Sequence, residues 1–265
     1  MKKLTILAFL FAFACTNCHP PKGVLSSGNA FNVLVFSKTA GYRHASIPDG
    51  IAAITKLGKE HNFGVEATED STFFTKPNLA KFDVVVFLST TMNVLNEQQQ
   101  QAFEGFIKGG GGYVGIHAAS DTEYEWPWYG KLVGGYFKSH PKQQEAVIRV
   151  KDKKHPSTKH LPSDWKCFDE WYNYKSLNPN VHVLCQLDET TYEGGENGAN
   201  HPIAWYHFYQ GGRRSTPGGV IPRRRTSNRC SCSISSVESC GRRGRKSELA
   251  VRQGAVGSRT VAQFG

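Results

Sequence analysis

Apolar runs alternate with amphipathic segments along the first half of the chain. Several runs are continuous and rich in β-branched and aromatic residues, for example NVLVFS at 32–37. Such runs are typical of strands that are covered on both faces of a sheet. The predicted strands of this half lie at 32–37, 64–69, 83–89 and 112–119, and the predicted helices lie at 48–61 and 96–108.

Both helices have recognisable beginnings. Apolar residues recur at helical spacing from Ile47 to Leu57, and Pro48 stands in the first turn, where a missing N–H is tolerated. Asn96 is a suitable N-cap, because Gln99 follows three residues later. Strands that alternate with helices predict an α/β domain with a mostly parallel sheet, whose ligands gather at the carboxyl ends of the strands. Further strands are predicted at 146–150, 182–187 and 202–209.

The N-terminus carries a targeting signal. Two lysines precede a run at 4–14 that is apolar except for Thr5. The run is shorter than the roughly 20 residues that a bilayer core requires but fits a signal peptide at 1–14. Three fates of this segment are open. It could be cleaved after A-x-A at 12–14, it could be cleaved in a bacterial lipobox with lipidation of Cys15, or it could remain as an uncleaved anchor. We expect a tether at 15–30 and an exported protein of the bacterial periplasm or cell envelope, held to the membrane through Cys15 if the lipobox is used.

Nearly all of the net charge of +10 lies in one C-terminal segment. Residues 214–265 contain eleven lysines and arginines, two acidic residues and one aromatic residue, whereas the preceding body is almost neutral. A disordered basic tail and an RNA- or membrane-binding arm are two interpretations. We favour a third, a shift of reading frame near Arg213, because the back-translated tail permits F-Y-T-G-G-G-H-T and an apolar helix in the shifted frame. We therefore predict a folded domain at 31–213, an out-of-frame tail and no nucleic-acid partner.

The domain contains two cysteines, Cys167 and Cys185, which an oxidising compartment would allow to pair.

Polar side chains follow the predicted strands. His117 stands in the turn at the end of the fourth strand, and a neutral imidazole can act as a general base or a metal ligand. His44 follows the first strand beside Arg43, a cation that suits an anionic or polyol ligand. Glu170 is the carboxylate best suited to acid–base work. The structural alternatives are a core histidine for His117, a helix-start residue for His44 and a surface ion pair for Glu170, while Asp121 either caps the next helix or orients His117.

Several motifs occur in order along the domain. They are GYRHASI, GGGYVGIHAASDT, W-x-W-Y-x-K-L-V-G-G-Y-F-x-x-H-P, DEWY and NHPIAW. Together they resemble the ThuA-like (trehalose utilisation) family over 31–213. The resemblance implies a class I glutamine amidotransferase-like fold, a three-layer flavodoxin-like sandwich. Family members commonly end with a segment like F-Y-T-x-x-G-H-T and an apolar helix, which this chain lacks and the shifted frame restores.

The resemblance also directs the functional prediction. In true amidotransferases the matching turn carries a cysteine nucleophile, and His117, which occupies that position here, is a poor replacement for a thiolate. Glutamine hydrolysis is therefore excluded, and a hydrolase, lyase or isomerase acting on a disaccharide, glycoside or keto-sugar is implied. We assign His117, Glu170 and His44 as catalytic. Aromatic faces beside polar groups suit sugar rings, so the expected substrate-binding residues are Arg43, Tyr42, Asp121, His140, Tyr172, His201 and Trp205.

Two further alternatives stay open at this point. A non-catalytic sugar-binding lipoprotein would use the same aromatic residues without needing a tuned histidine. A divalent metal such as zinc is a candidate cofactor with His44, His117 and His140 as ligands, although the chain contains neither H-x-x-x-H nor H-E-x-x-H. No pair of carboxylates of the two-carboxylate glycosidase type is evident.

Overall fold

A computed structural model describes residues 29–211 and the backbone of a strand at 261–264. The predicted signal peptide, Cys15, almost all of the tether and all but that strand of the predicted tail lie outside the described residues. Among the residues that are described, none of the helices has the length and apolar character needed to cross a membrane.

The described residues form helices and strands where the apolar pattern predicts them. The helices are α1 (Ile47–His61), α2 (Lys76–Leu79), α3 (Glu97–Lys108) and α4 (Pro127–Val133). The strands are β1 (Asn32–Phe36), β2 (Gly64–Thr68), β3 (Val84–Leu88), β4 (Gly112–Ile116), β5 (Tyr136–Ser139), β6 (Gln144–Val150), β7 (Asp164–Asp169), β8 (Asn173–Lys175), β9 (His182–Asp188), β10 (His201–His207) and β11 (Val261–Phe264). All nine predicted elements are confirmed, and β4 ends three residues early because the chain turns at His117.

Nine of the strands form one sheet in the order β2-β1-β3-β4-β11-β10-β9-β6-β7. The pairs from β2 to β11 are parallel, and the pairs from β11 to β7 are antiparallel. β5 and β8 form a separate antiparallel ribbon. The parallel half brings the carboxyl ends of β1, β3 and β4 to one edge.

Side chains that alternate along β1 serve the two faces of the sheet. Val33 and Val35 pack with Ile54 of α1 on one face, whereas Leu34 and Phe36 belong to the cluster that contains Phe103 of α3 on the other. Because both faces are buried, the strands are apolar at every position. The predicted three-layer flavodoxin-like sandwich is confirmed.

The antiparallel half of the sheet has its own core. Ile148, Leu184 and Tyr206 are among its buried members, together with Cys167 on β7 and Cys185 on β9. No disulfide joins these two cysteines. This core packs beneath the loop that leads from β7 to β8.

Candidate active site

Three loops meet at the carboxyl edge of the parallel strands. The loop after β1 carries His44, the turn after β4 begins at His117, and the connection from β7 to β8 contains Glu170. The first two loops are tied together through the loop after β3. Thr91 accepts a hydrogen bond from the Gly41 amide at 3.1 Å, and the Met92 amide donates to the Asp121 carbonyl at 2.7 Å. The structure therefore places His44, His117 and Glu170 together at this edge.

The backbone of His117 is held in an unusual conformation. Its φ is 51°, whereas the preceding Ile116 is extended with φ −126° and ψ 126°. For a residue with a Cβ atom, the left-handed conformation costs about 1–2 kcal/mol, and such positions concentrate at functional sites. The turn projects the imidazole from the end of β4 into the space between the three loops.

His44, His117 and Glu170 converge on one another. His117 Nε2 lies 3.4 Å from Glu170 Oε2, and His44 Nε2 lies 3.9 Å from the same oxygen. The two imidazole rings meet edge to face with their centroids 4.6 Å apart. The side chains are only 12%, 8% and 17% exposed, respectively, so water screens this cluster weakly.

Burial and contact set the charges of the cluster. The contacts with His117 and then with His44 hold the pKa of Glu170 well below its usual range, so Glu170 is a carboxylate at neutral pH. Burial lowers the pKa of His117 and outweighs the opposing effect of Glu170, so the imidazole is neutral. An ionised carboxylate therefore lies beside a neutral base, which is a suitable arrangement for proton transfer.

Tyr172, the residue before β8, also contacts this cluster. Its hydroxyl lies 3.2 Å from His117 Nε2, and the two rings are 4.5 Å apart. Burial raises the pKa of the phenol well above its usual range, so the hydroxyl keeps its proton. Tyr172 is thus placed as a neutral hydrogen-bond donor next to the imidazole.

His201 lies behind Tyr172 instead of facing a ligand. It is fully buried, its Nε2 donates to the Tyr172 carbonyl at 2.8 Å, and its Nδ1 lies 2.7 Å from Glu189 Oε1. Trp205 is also fully buried and donates from Nε1 to the Val133 carbonyl at 3.0 Å. In this structure neither side chain has exposed surface for a sugar. His201 holds the backbone of Tyr172, and Trp205 packs against the ring of Tyr174.

The remaining predicted binding residues lie at the rim. Tyr42 is 70% exposed, and its ring meets that of His44 at 4.9 Å. Arg43 pairs with Glu69 at 2.6 Å, which occupies its guanidinium. His140 is exposed, with its ring 5.8 Å from Tyr172.

Asp121 is engaged locally rather than with His117. Tyr124 donates its hydroxyl to Asp121 Oδ1 at 2.5 Å. Burial raises the pKa of Asp121, with this hydrogen bond and the nearby His44 opposing it. Asp121 is therefore a half-buried acid on the His44 side of the site.

Sequence reasoning missed the residues that hold the cluster in place. Gln143 donates from Nε2 to Glu170 Oε1 at 3.1 Å, and Glu189 holds His201. Neither residue lies in a pattern that distinguishes it from an ordinary surface residue. Of the three histidines predicted as metal ligands, the structure groups His44 and His117 with Glu170 in place of His140, and the ligand atoms of that group lie within 4.8 Å of one another.

Comparison with known proteins agrees with this architecture. The family model for ThuA, described as trehalose utilisation, matches residues 32–216. A solved structure of a ThuA-like protein from Bacteroides uniformis is 27% identical, with a TM-score of 0.59, over 68% of this chain and 78% of its own. Another from Parabacteroides merdae is 19% identical, with a TM-score of 0.57, over 82% of this chain and 88% of its own, and shows the fold alone. No curated protein matches the chain.

Proposed function

The chain belongs to the ThuA family, which is described as trehalose utilisation, and we propose that it is an exported enzyme that processes a disaccharide, glycoside or keto-sugar. The observation that carries the proposal is the buried contact of His117 with Glu170 beside the Tyr172 hydroxyl. Hydrolysis, elimination and isomerisation of a sugar all require a base and an acid placed in this way.

Each residue of the cluster has a separate role in proton transfer. A proton removed from the substrate is taken up at the His44–His117–Glu170 cluster, where the Glu170 carboxylate stabilises the positive charge that forms. Tyr172 keeps its own proton and donates a hydrogen bond to developing negative charge on a substrate oxygen. Gln143 keeps Glu170 oriented throughout, because it holds the other carboxylate oxygen.

The substrate class rests on the family description and on the rim of the site. Tyr42 presents a largely exposed ring, and the exposed ring of His140 lies nearly parallel to that of the buried Tyr172, at 21°. Apolar ring faces next to polar atoms match the alternating C–H and hydroxyl surfaces of a sugar ring.

Export with a lipid anchor on Cys15 is part of the same proposal. Replacement of Cys15 by Ser removes the thiol that would carry the lipid, while Cys18→Ser, three residues away, is the matched control. Cells that express the protein are fractionated and blotted. We expect Cys15→Ser to leave the membrane fraction and Cys18→Ser to stay in it. An unchanged distribution of Cys15→Ser would show that the anchor is absent.

Turnover and binding measurements on the full chain test the enzymatic function. The protein is incubated with disaccharides and their keto derivatives, and products and binding are followed in parallel. His117→Ala is expected to abolish turnover and retain binding, whereas the exposed His160→Ala is the matched control. Saturable binding without turnover in the unaltered protein would instead support a sugar-binding lipoprotein.

A further inference from the structure

The geometry points to a divalent transition-metal site of the zinc class, formed by His44 Nε2, His117 Nε2 and Glu170 Oε2. The inference rests on the proposed function only for the use of the ion. The binding itself follows from the three side chains. The donors come from three separate segments of the chain and converge within 4.8 Å.

The separations fit shared ligation of an ion better than direct hydrogen bonding. A charge-assisted N–H···O bond is about 2.7–2.9 Å long, whereas the two Nε2–Oε2 distances are 3.4 and 3.9 Å. Two ligands of one tetrahedral zinc ion, each bound at about 2.0–2.1 Å, lie roughly 3.4 Å from each other. The contact of His117 with Glu170 already has that spacing, and the contact of His44 is about 0.5 Å longer.

The donor set selects the class of ion. Two imidazole nitrogens and one carboxylate oxygen suit zinc, iron or cobalt, while magnesium and calcium prefer sites made of oxygen ligands. Three protein ligands leave a coordination position open, as in catalytic zinc sites. The Tyr172 hydroxyl lies 3.2 Å from His117 Nε2, one of the three donor atoms.

Glu170 is oriented by a hydrogen bond from a neighbouring side chain, whereas the two histidines have no such bond at Nδ1. Gln143 holds Glu170 Oε1 at 3.1 Å, so that Oε2 faces the histidines. The Nδ1 atoms of His44 and His117 are buried without a hydrogen-bond partner, although metal-bound histidines usually donate from that nitrogen to an acceptor. We therefore expect affinity in the micromolar range rather than the tighter binding of structural zinc sites.

The ion refines the chemistry proposed for this cluster. If the ion is bound, His44, His117 and Glu170 would hold it, and it would supply a bound water whose pKa of about 7 suits a base at neutral pH. Glu170 contributes the negative charge that the ion requires.

Metal titration of the full chain tests the inference without any substrate. The cysteines are first alkylated, because thiolates also bind zinc, and the protein is then stripped with chelator. Zinc binding is followed by calorimetry and cobalt binding by visible absorption. We expect one equivalent of ion per chain and a cobalt spectrum of nitrogen and oxygen ligands.

Matched variants assign the ligands. Glu170→Gln and His44→Ala are each expected to weaken binding by at least about 100-fold, the upper end of what the loss of an outer-shell partner costs. His140→Ala and the exposed His160→Ala should bind as the unaltered protein does. Circular dichroism checks that each variant is folded, and Gln143→Ala, which leaves all three ligands in place, is expected to weaken binding by about 10-fold.

The outcomes separate this inference from the proposed function. Failure of the unaltered, alkylated chain to bind zinc or cobalt would overturn the metal site, and so would binding that survives in Glu170→Gln. Sugar turnover that persists after chelation would then leave the proposed function intact. Stoichiometric binding without turnover of any sugar would support the metal site and count against the enzyme.

Discussion

The hydroxyl of Tyr172 contacts His117, whereas that of Tyr174, two residues further along the same segment, is buried without a hydrogen-bond partner. The two residues therefore form a matched pair for substitution. Tyr172→Phe removes one aligned donor from the site and is expected to lower kcat by about 10²-fold, with little change in KM. Tyr174→Phe should leave kcat unchanged and keep or raise stability, because it removes an unsatisfied polar group. Steady-state kinetics on a turned-over sugar, with urea unfolding of both variants, checks the prediction. Equal effects of the two substitutions on kcat would contradict it.

His207 should make the stability of the protein depend on pH. Burial lowers the pKa of His207 below its usual value of 6.5, while its Nε2 donates to the Leu132 carbonyl at 2.9 Å. The unfolded chain therefore takes up this proton more readily than the folded chain, so the free energy of unfolding should fall as pH drops from about 7 to about 5. Urea unfolding across that range should show a shallower fall in His207→Gln than in the unaltered protein. His160→Gln, at an exposed site, is the control, and identical slopes for all three proteins would contradict the assignment.

At the scale of single residues, the sequence indicates which side chains carry chemistry better than it indicates their partners. His117 was identifiable because it follows a predicted strand, and both His117 and Glu170 lie in family motifs. The pairing of Arg43 with Glu69 depends on the parallel register of β1 and β2, which no local pattern encodes. The same holds for His201, whose partners Tyr172 and Glu189 come from two other segments.

Helix α3 begins with reciprocal side-chain bonds that were predicted from the sequence. Asn96 Oδ1 accepts from the Gln99 amide at 3.0 Å, and Gln99 Oε1 accepts from the Asn96 amide at 2.9 Å. Asn96→Ala should lower the free energy of unfolding by about 1 kcal/mol, because it leaves helix N–H groups unsatisfied. Asn96→Ser retains a capping side chain and should lower the free energy of unfolding by a few tenths of that amount at most. Urea unfolding measures both, and an Asn96→Ala protein as stable as the unaltered one would show that the cap is replaceable.

At the scale of elements, the strands that could be predicted from the sequence are those buried on both faces of the sheet. β1, β3 and β4 are buried along almost their whole length, so their apolar runs identify them directly. The segments of β5, β7 and β8 were not predicted. β7 contains three charged residues and is buried fully only at Cys167, and β8 has three residues. Their strand conformation depends on partners, Gln144–Val150 for β7 and Tyr136–Ser139 for β8, and not on their own composition.

At the scale of the whole molecule, the backbone conformation just after β10 indicates that a hairpin should follow this strand. Gln210 and Gly211 have φ values of 43° and 85°, and two consecutive residues with positive φ are what a type I′ hairpin turn requires. Such a turn returns the chain directly beside β10. The place between β10 and β4 is taken by Val261–Phe264, about fifty residues later. This supports our proposal that the segment after Arg213 is out of frame, since the shifted frame supplies a strand-forming F-Y-T at that point.

Restoring the frame should therefore stabilise the molecule. A chain that continues in the shifted frame after Arg213 would extend β10 into a hairpin and place a continuous strand beside β4. We expect its free energy of unfolding to exceed that of the present chain, because the restored strand and apolar helix bury additional apolar surface. A chain truncated after Arg213 is the control for simple loss of the basic tail. Equal urea midpoints for the restored and present chains would refute the frame shift.

The most direct test of the proposed chemistry is the ratio of kcat/KM between the unaltered protein and Glu170→Gln, on a sugar that the unaltered protein turns over. Glu145→Gln is the matched control, because Glu145 is exposed and pairs only with Lys166 on the neighbouring strand. If the buried cluster carries the reaction, Glu170→Gln lowers kcat/KM by about 10²–10⁴-fold, and Glu145→Gln leaves it unchanged. A Glu170→Gln protein that is folded and turns the sugar over as fast as the unaltered one would contradict the assignment of the active site to His44, His117 and Glu170.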